Sequence, residues 1–303
     1  MNATLSPTDA VRIVEVGARD GLQNEKAIIP TADKIALIER LAQAGLRTIE
    51  ATSFVSPKWI PQLADAAEVY AGISKLPGVA YPVLVPNAQG YDRARAVGAS
   101  EVAIFTAASE AFNRKNINAS IDESIERFIP VLTQARSDGV RVRGYVSTVL
   151  GCPYQGEVPV ADVVRVARRL HQLGCYEVSL GDTIGIGTPT KARTMLRAVA
   201  QEIPMSALAV HFHDTRGQAL ANVLACLEEG VRVVDSAVSG TGGCPYAHGA
   251  SGNVATEDLV YMLEGMGMTT GIDLPMLIDT GRWLSELLGR HSGSKVNLAS
   301  QSP

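Results

Sequence analysis

The run His211-Phe212-His213-Asp214 is the sharpest chemical feature of the sequence. It ends an apolar stretch, 208–214, that reads as a strand. In a strand, residues two apart project to the same face, so the two imidazoles stand about 7 Å apart at the backbone and could close on one cation. The pair could equally be a hydrogen-bonded core histidine and a rim histidine, and spacing alone leaves both open. Two nitrogens joined by carboxylate and amide oxygens suit an octahedral Mg²⁺ or Mn²⁺ with open positions, whereas a closed zinc site wants more thiolates. Further groups fall at the ends of other apolar runs. These are Arg19 and Asp20, then Glu50 and Ser53, then Asp182 with Thr183. A glycine-rich segment at 240–253, GTGGCPYAHGASGN, carries Cys244, His248 and Asn253. Its glycines suit a loop that moves or approaches a ligand closely. Cys244 there is either a reactive thiol or a cysteine packed in a tight turn, and GCPY around Cys152 repeats the tetrapeptide. Arg19 reads either as an inward cation or as a surface ion-pair partner.

These residues need a frame that gathers them. Eight β-branched runs recur at 11–17, 47–54, 79–86, 101–109, 140–149, 176–185, 208–214 and 233–240. Each gap has room for a crossover helix. Between 31 and 45, Ile35, Ile38, Leu41 and Ala42 recur at helical spacing. Ser120 and Glu123 form a capping box, and Thr188-Pro189 reads as N-cap and first helical residue. Gly45, Gly98, Gly139, Gly174 and Gly230 each precede a strand by a few residues, where glycine can end a helix in the left-handed conformation. This cadence predicts an α/β fold, a (β/α)8 TIM barrel, over the competing open doubly wound sheet. The first run is followed by GARDGLQNE, with no G-x-G-x-x-G. A barrel over about 11–270, an added helix at about 274–288 and a frayed polar tail at 289–303 make one domain of 1–303. Barrel active sites lie at the C-terminal ends of the strands, and the polar groups above collect there. Asp20 is then the natural charged partner of the histidines, because the first and last strands adjoin.

Composition narrows the class. The chain of 303 residues is 46% hydrophobic with a net charge of -4, so it can fold around an ordinary core. With 27 Lys+Arg against 31 Asp+Glu there is no basic excess, and nucleic acid is not expected as a partner. No apolar run reaches the roughly 18 residues of a membrane span. Four cysteines do not make a disulfide framework; Cys175 and Cys226 read as small buried hydrophobes. The start, MNATLSPTDA, lacks leader features and the end, QSP, is no peroxisomal signal, so a reduced cytoplasmic setting is expected.

The stretches VEVGARDGLQNEK, IEATSFVSPKW, SLGDTIGIGTP, HFHDT and GGCPYAHGASGNVATEDLVYML resemble the 3-hydroxy-3-methylglutaryl-CoA (HMG-CoA) lyase family, from about Val11 to Gly289. The resemblance implies cleavage of HMG-CoA to acetyl-CoA and acetoacetate, a step of leucine catabolism and ketone-body formation, in a homo-oligomer. It implies Asp20, His211, His213 and Asn253 as divalent-metal ligands, Arg19 as a substrate-contacting arginine and Cys244 as a catalytic cysteine. Glu50, Asp182 and Gln23 match polar positions around such a site, and Ser53 joins Arg19 and Gln23 among the expected substrate contacts. The general base stays open among Asp182, Asp20 and His211. Arg216 stands where the family has tyrosine, and Ser239, Thr241 and His248 also depart from its pattern. A longer-branched 3-hydroxy-3-substituted glutaryl-CoA is therefore a close variant. The alternatives are an acetyl-CoA-dependent condensing synthase of the same superfamily, which has no need of Cys244, or a barrel retained for binding alone.

Overall fold

A computed structural model describes residues 10–243 and 252–300. Its strands are β1 (Arg12–Glu15), β2 (Thr48–Ile49), β3 (Thr52–Ser53), β4 (Val83–Leu84), β5 (Glu101–Ala107), β6 (Arg141–Ser147), β7 (Glu177–Asp182), β8 (Leu208–Phe212) and β9 (Val233–Ser236). All pair in parallel, in the order β2-β1-β9-β8-β7-β6-β5-β4-β3. The two ends of that order are one strand line broken at Glu50 and Ala51. Across the break the ladder continues, with the Glu50 N–H donating to the Glu15 carbonyl and the Ala51 N–H to that of Pro82. The sheet therefore closes on itself, and the eight expected runs become the eight staves of a barrel. The five exit glycines all take positive φ, Gly45 at 102° and Gly174 at 110° among them. Ser120 and Glu123 form their capping box.

Period-two alternation decides what each strand gives to the interior. On β8, Val210 and Phe212 join the large apolar cluster shared with the helices, whereas Ala209 belongs to a small cluster with Val14, Val16 and Val233. His211 and His213 follow Ala209 by parity and take that second side. The same parity brings buried charge into the barrel. Arg143 is fully buried; its Nε donates to Glu177 at 2.7 Å, and its two terminal nitrogens donate to Asp235 at 2.7 and 3.0 Å. Arg12 also pairs with Glu177. Stripping one partner from such a buried pair costs about 3–5 kcal/mol, so these strands are locked together by groups that cannot be removed singly.

The C-terminal helix runs Leu274–Leu287, as expected. The tail corrects the expectation of fraying, because Lys295–Ala299 is a further helix. Several of its polar groups are paired within the fold. Asp258 accepts from the Ser294 hydroxyl at 2.6 Å and from the Lys295 and Val296 N–H groups, while the Asn297 amide donates to the Ile278 carbonyl.

Two buried carboxylates hold the chain segments at the barrel mouth. Glu15 accepts from the Gly17 and Val238 N–H groups and the Thr256 hydroxyl, and Glu257 accepts from the Ser239 N–H. Burial pushes Glu15 up to about 7. Burial, helped by the Glu15 charge, pushes Glu257 up to about 8. A carboxyl whose folded value lies above its unfolded value favours the fold in its protonated form. That contribution is complete below about 4.5 and is lost as pH rises through about 8. Glu257→Gln cannot ionise, so urea titrations at about pH 5 and pH 9 should differ less in stability for the variant than for the wild type. An unchanged difference would contradict the assignment.

Candidate active site and metal centre

Beyond β1 the chain makes a five-residue π-turn, Gly17–Gly21, in which the Gly21 N–H donates back to the Val16 carbonyl. Such turns are rare and recur at functional sites. This one lets adjacent residues serve one place, which a strand would forbid by sending them to opposite faces. Arg19 is buried, with its Nε donating to Glu50 at 2.6 Å and a terminal nitrogen to Asp20 at 2.8 Å. Asp20 turns its other oxygen to the histidines. The Nε2 atoms of His211 and His213 each lie 4.0 Å from Asp20 Oδ2. The same-face reading of the H-x-H pair therefore holds.

Asn253 arrives from the far side of the glycine-rich segment. A backbone bridge between His213 and Asn253 sets it beside β8, with the Val254 N–H donating to the Phe212 carbonyl and the Asp214 N–H to that of Gly252. Its Nδ2 donates to Asp20 Oδ2 at 2.8 Å and to the Thr241 carbonyl at 3.1 Å. Both donors of the amide are thus used, and Oδ1 is left buried with no donor facing it. One ligand atom each from Asp20, His211 and His213 lies within 4.8 Å of the others, the one such cluster among the described residues. Hard carboxylate and amide oxygens with two imidazoles fit a divalent cation, and the orphaned Asn253 oxygen is the kind of atom such an ion would satisfy.

The electrostatics agree. Burial pulls the Asp20 carboxyl upward, but Arg19, with the histidines and the Asn253 amide behind it, outweighs burial and holds it at about 2. Burial, with His211 adding, pushes His213 down to about 4, so at neutral pH it keeps the uncharged form that a metal ligand needs. Burial raises Glu50 against the opposing pull of Arg19.

The remaining expected residues stand at varying remove. Asp182, at the end of β7, is raised by burial, and its oxygens accept from the Ile186 and Gly187 N–H groups at 3.3 and 2.8 Å. Ser53 on β3 donates to the Leu84 carbonyl at 3.3 Å. Gln23 is half-buried just past the π-turn. Arg216 is exposed and donates to the Ile184 and Gly185 carbonyls, so it braces the turn that carries Asp182. Thr241 and Ser239 are buried and satisfied: Thr241 donates to the Val238 carbonyl, and the Ser239 hydroxyl meets the Gly281 carbonyl and two serines. Cys175 and Cys226 are buried thiols, pushed by burial to about 12. Cys244 and His248 lie outside the described residues.

Sequence reading missed the layer beneath the site. Tyr145 stacks between charges, with the Arg19 guanidinium 5.6 Å and that of Arg143 4.9 Å from its ring centroid, and it meets the His211 ring edge-on at 6.2 Å. Asp235 on β9 lies against His211. The signal was available: Arg143 and Tyr145, Glu177 and Ser179, and Asp235 are polar residues at inward parity inside otherwise apolar strands.

The HMGL-like family matches residues 10–284. The chain is 61% identical over 289 residues to the mitochondrial hydroxymethylglutaryl-CoA lyase of Gallus gallus, covering 95% of this chain and 97% of the relative. It is 59% identical over 290 residues to the cytoplasmic 3-hydroxy-3-methylglutaryl-CoA lyase of Rattus norvegicus, covering 96% and 84%. The solved hydroxymethylglutaryl-CoA lyase of Pseudomonas aeruginosa superposes with a TM-score of 0.95 at 57% identity, over 96% of this chain and 97% of that one. By family model, sequence and fold together, this chain belongs to the HMGL-like family, among the hydroxymethylglutaryl-CoA lyases.

Proposed function

We propose that this protein cleaves HMG-CoA to acetyl-CoA and acetoacetate, working as a single catalytic barrel domain. One observation carries the reading. In a chain of the lyase family, Asp20, His211 and His213 converge on one point, with Arg19 beside them and the Asn253 amide, its oxygen unpartnered, hydrogen-bonded to Asp20.

The reaction breaks the C2–C3 bond. A base removes the proton of the 3-hydroxyl, the oxygen's electrons form the new ketone, and the bond pair stays on C2 as the enolate of the acetyl thioester. A proton delivered to C2 completes acetyl-CoA. Asp20, His211, His213 and Asn253 would hold Mg²⁺ or Mn²⁺. When bound, a divalent cation supplies Lewis acidity, polarising oxygens and easing loss of an alcohol proton. Arg19 is fixed by Glu50 and Asp20 with little freedom to reorient, so its charge is already in place for the enolate oxygen. Asp182, Asp20 and His211 are the candidate proton acceptors. Cys244, matched through the family resemblance, is assigned the return of the proton to C2, for which a thiol with an ordinary pKa of about 8.5 is suited. Gln23 and Ser53 are assigned to substrate contact. The products place the step in leucine breakdown and ketone-body formation. A cytoplasmic homo-oligomer is the companion reading, supported by the cytoplasmic name of a close relative and by the family resemblance.

The decisive assay offers HMG-CoA and longer-branched analogues to the protein with and without a chelator. Acetyl-CoA and acetoacetate should form from HMG-CoA, and chelation should abolish them; absence of both products from HMG-CoA would refute the proposal. Arg19→Met should lower kcat more than it raises KM, because the interaction strengthens as the enolate forms. A change in KM alone would remove Arg19 from that role. Cys244→Ala should cut kcat by roughly 10²- to 10⁴-fold, the usual range for an acid-base group. Undiminished turnover would assign the proton donor elsewhere.

A further inference from the structure

The two histidines face Asp20 alike, yet their backs differ. His213 Nδ1 is buried with no hydrogen-bond partner, whereas His211 Nδ1 lies 3.2 Å from Asp235 Oδ2. Asp235 is buried on β9, directly opposite His211 in the ladder. It has no freedom of its own. Arg143 grips both its oxygens, at 2.7 and 3.0 Å, and the Ser179 hydroxyl donates to Oδ2 at 2.8 Å. Arg143 is fixed in turn by Glu177 and by the Tyr145 hydroxyl at 2.8 Å. Tyr145 then closes the ring of contacts, its face set at 82° to the His211 imidazole.

A carboxylate paired with a guanidinium can only accept hydrogen bonds. Its contact with Nδ1 therefore needs the His211 proton to sit on that nitrogen, leaving the lone pair on Nε2, the atom that faces Asp20. We infer that Asp235 is a positioning residue, which fixes His211 in the Nδ1–H tautomer and so presents the Nε2 lone pair to the cation site. The inference rests on the proposed ligand set and deepens it. Carboxylates behind metal-binding histidines typically contribute 10- to 100-fold in affinity. Here the carboxylate is anchored by a guanidinium from the barrel floor, so ligand orientation is tied to the packing of β6, β7 and β9.

Asp235→Asn keeps the volume but replaces one acceptor by a donor. Arg143 would claim the remaining oxygen, the new N–H would turn to His211 Nδ1, and the imidazole proton would move to Nε2, where it blocks ligation. The test uses metal-free protein labelled with ¹⁵N-histidine, the His211 signals being identified by their loss in His211→Gln. Wild-type His211 should carry its proton on Nδ1. In Asp235→Asn it should shift to Nε2 while His213 stays unchanged, and Mn²⁺ affinity, read by electron paramagnetic resonance of the free ion, should fall 10- to 100-fold. An Nε2–H tautomer in the wild type overturns the inference. So does a folded Asp235→Asn protein with wild-type Mn²⁺ affinity. Should the variant fail to fold, the wild-type spectrum decides alone. Wild-type protein that takes up no Mn²⁺ overturns the cation reading itself, and with it the service assigned to Asp235.

Discussion

The site turns on keeping Asp20 ionised in a place that burial makes hostile to charge. Arg19 does most of this, with the Asn253 amide and the imidazoles adding to it, and it reaches Asp20 because the π-turn points consecutive side chains into the same mouth. Glu50 then balances the second positive edge of Arg19. Without that arginine, desolvation would push the Asp20 carboxyl toward its protonated form, opposed only by the imidazoles and the Asn253 amide. The arrangement is a small electrostatic arch in which each charge is tolerable because of its neighbour.

Beneath the arch lies a second polar layer where most barrels pack branched aliphatic side chains. Arg143, Glu177, Asp235 and Tyr145 fill that space with groups that must be fully paired. A polar core of this kind is weak support for stability, since well-packed apolar replacements often do as well. What it provides is direction. Hydrogen bonds fix orientation in a way that dispersion contacts do not, and the histidine above them needs a defined orientation.

Much of this was legible in the sequence. The eight strand runs, the helix exits and the placement of His211 and His213 follow from period-two and helical patterning, which are local properties. The π-turn was not legible, because GARDG carries no local preference that separates an i to i+5 closure from an ordinary loop. The Arg143–Asp235 pair joins residues far apart in the chain, so only the closed barrel brings them together. The ordered tail was missed for a related reason. Its polar residues look solvated in isolation, and only Asp258 and the preceding helix reveal that they are paired.

The interruption between β2 and β3 has a mechanical meaning. At Glu50, whose side chain steadies Arg19, the backbone N–H still pairs with the Glu15 carbonyl of β1, so one residue serves both the barrel wall and the arginine. Wall pairing and placement of the arginine thus meet in a single residue. A displacement of the Glu50 backbone would therefore loosen the wall and unseat the arginine together.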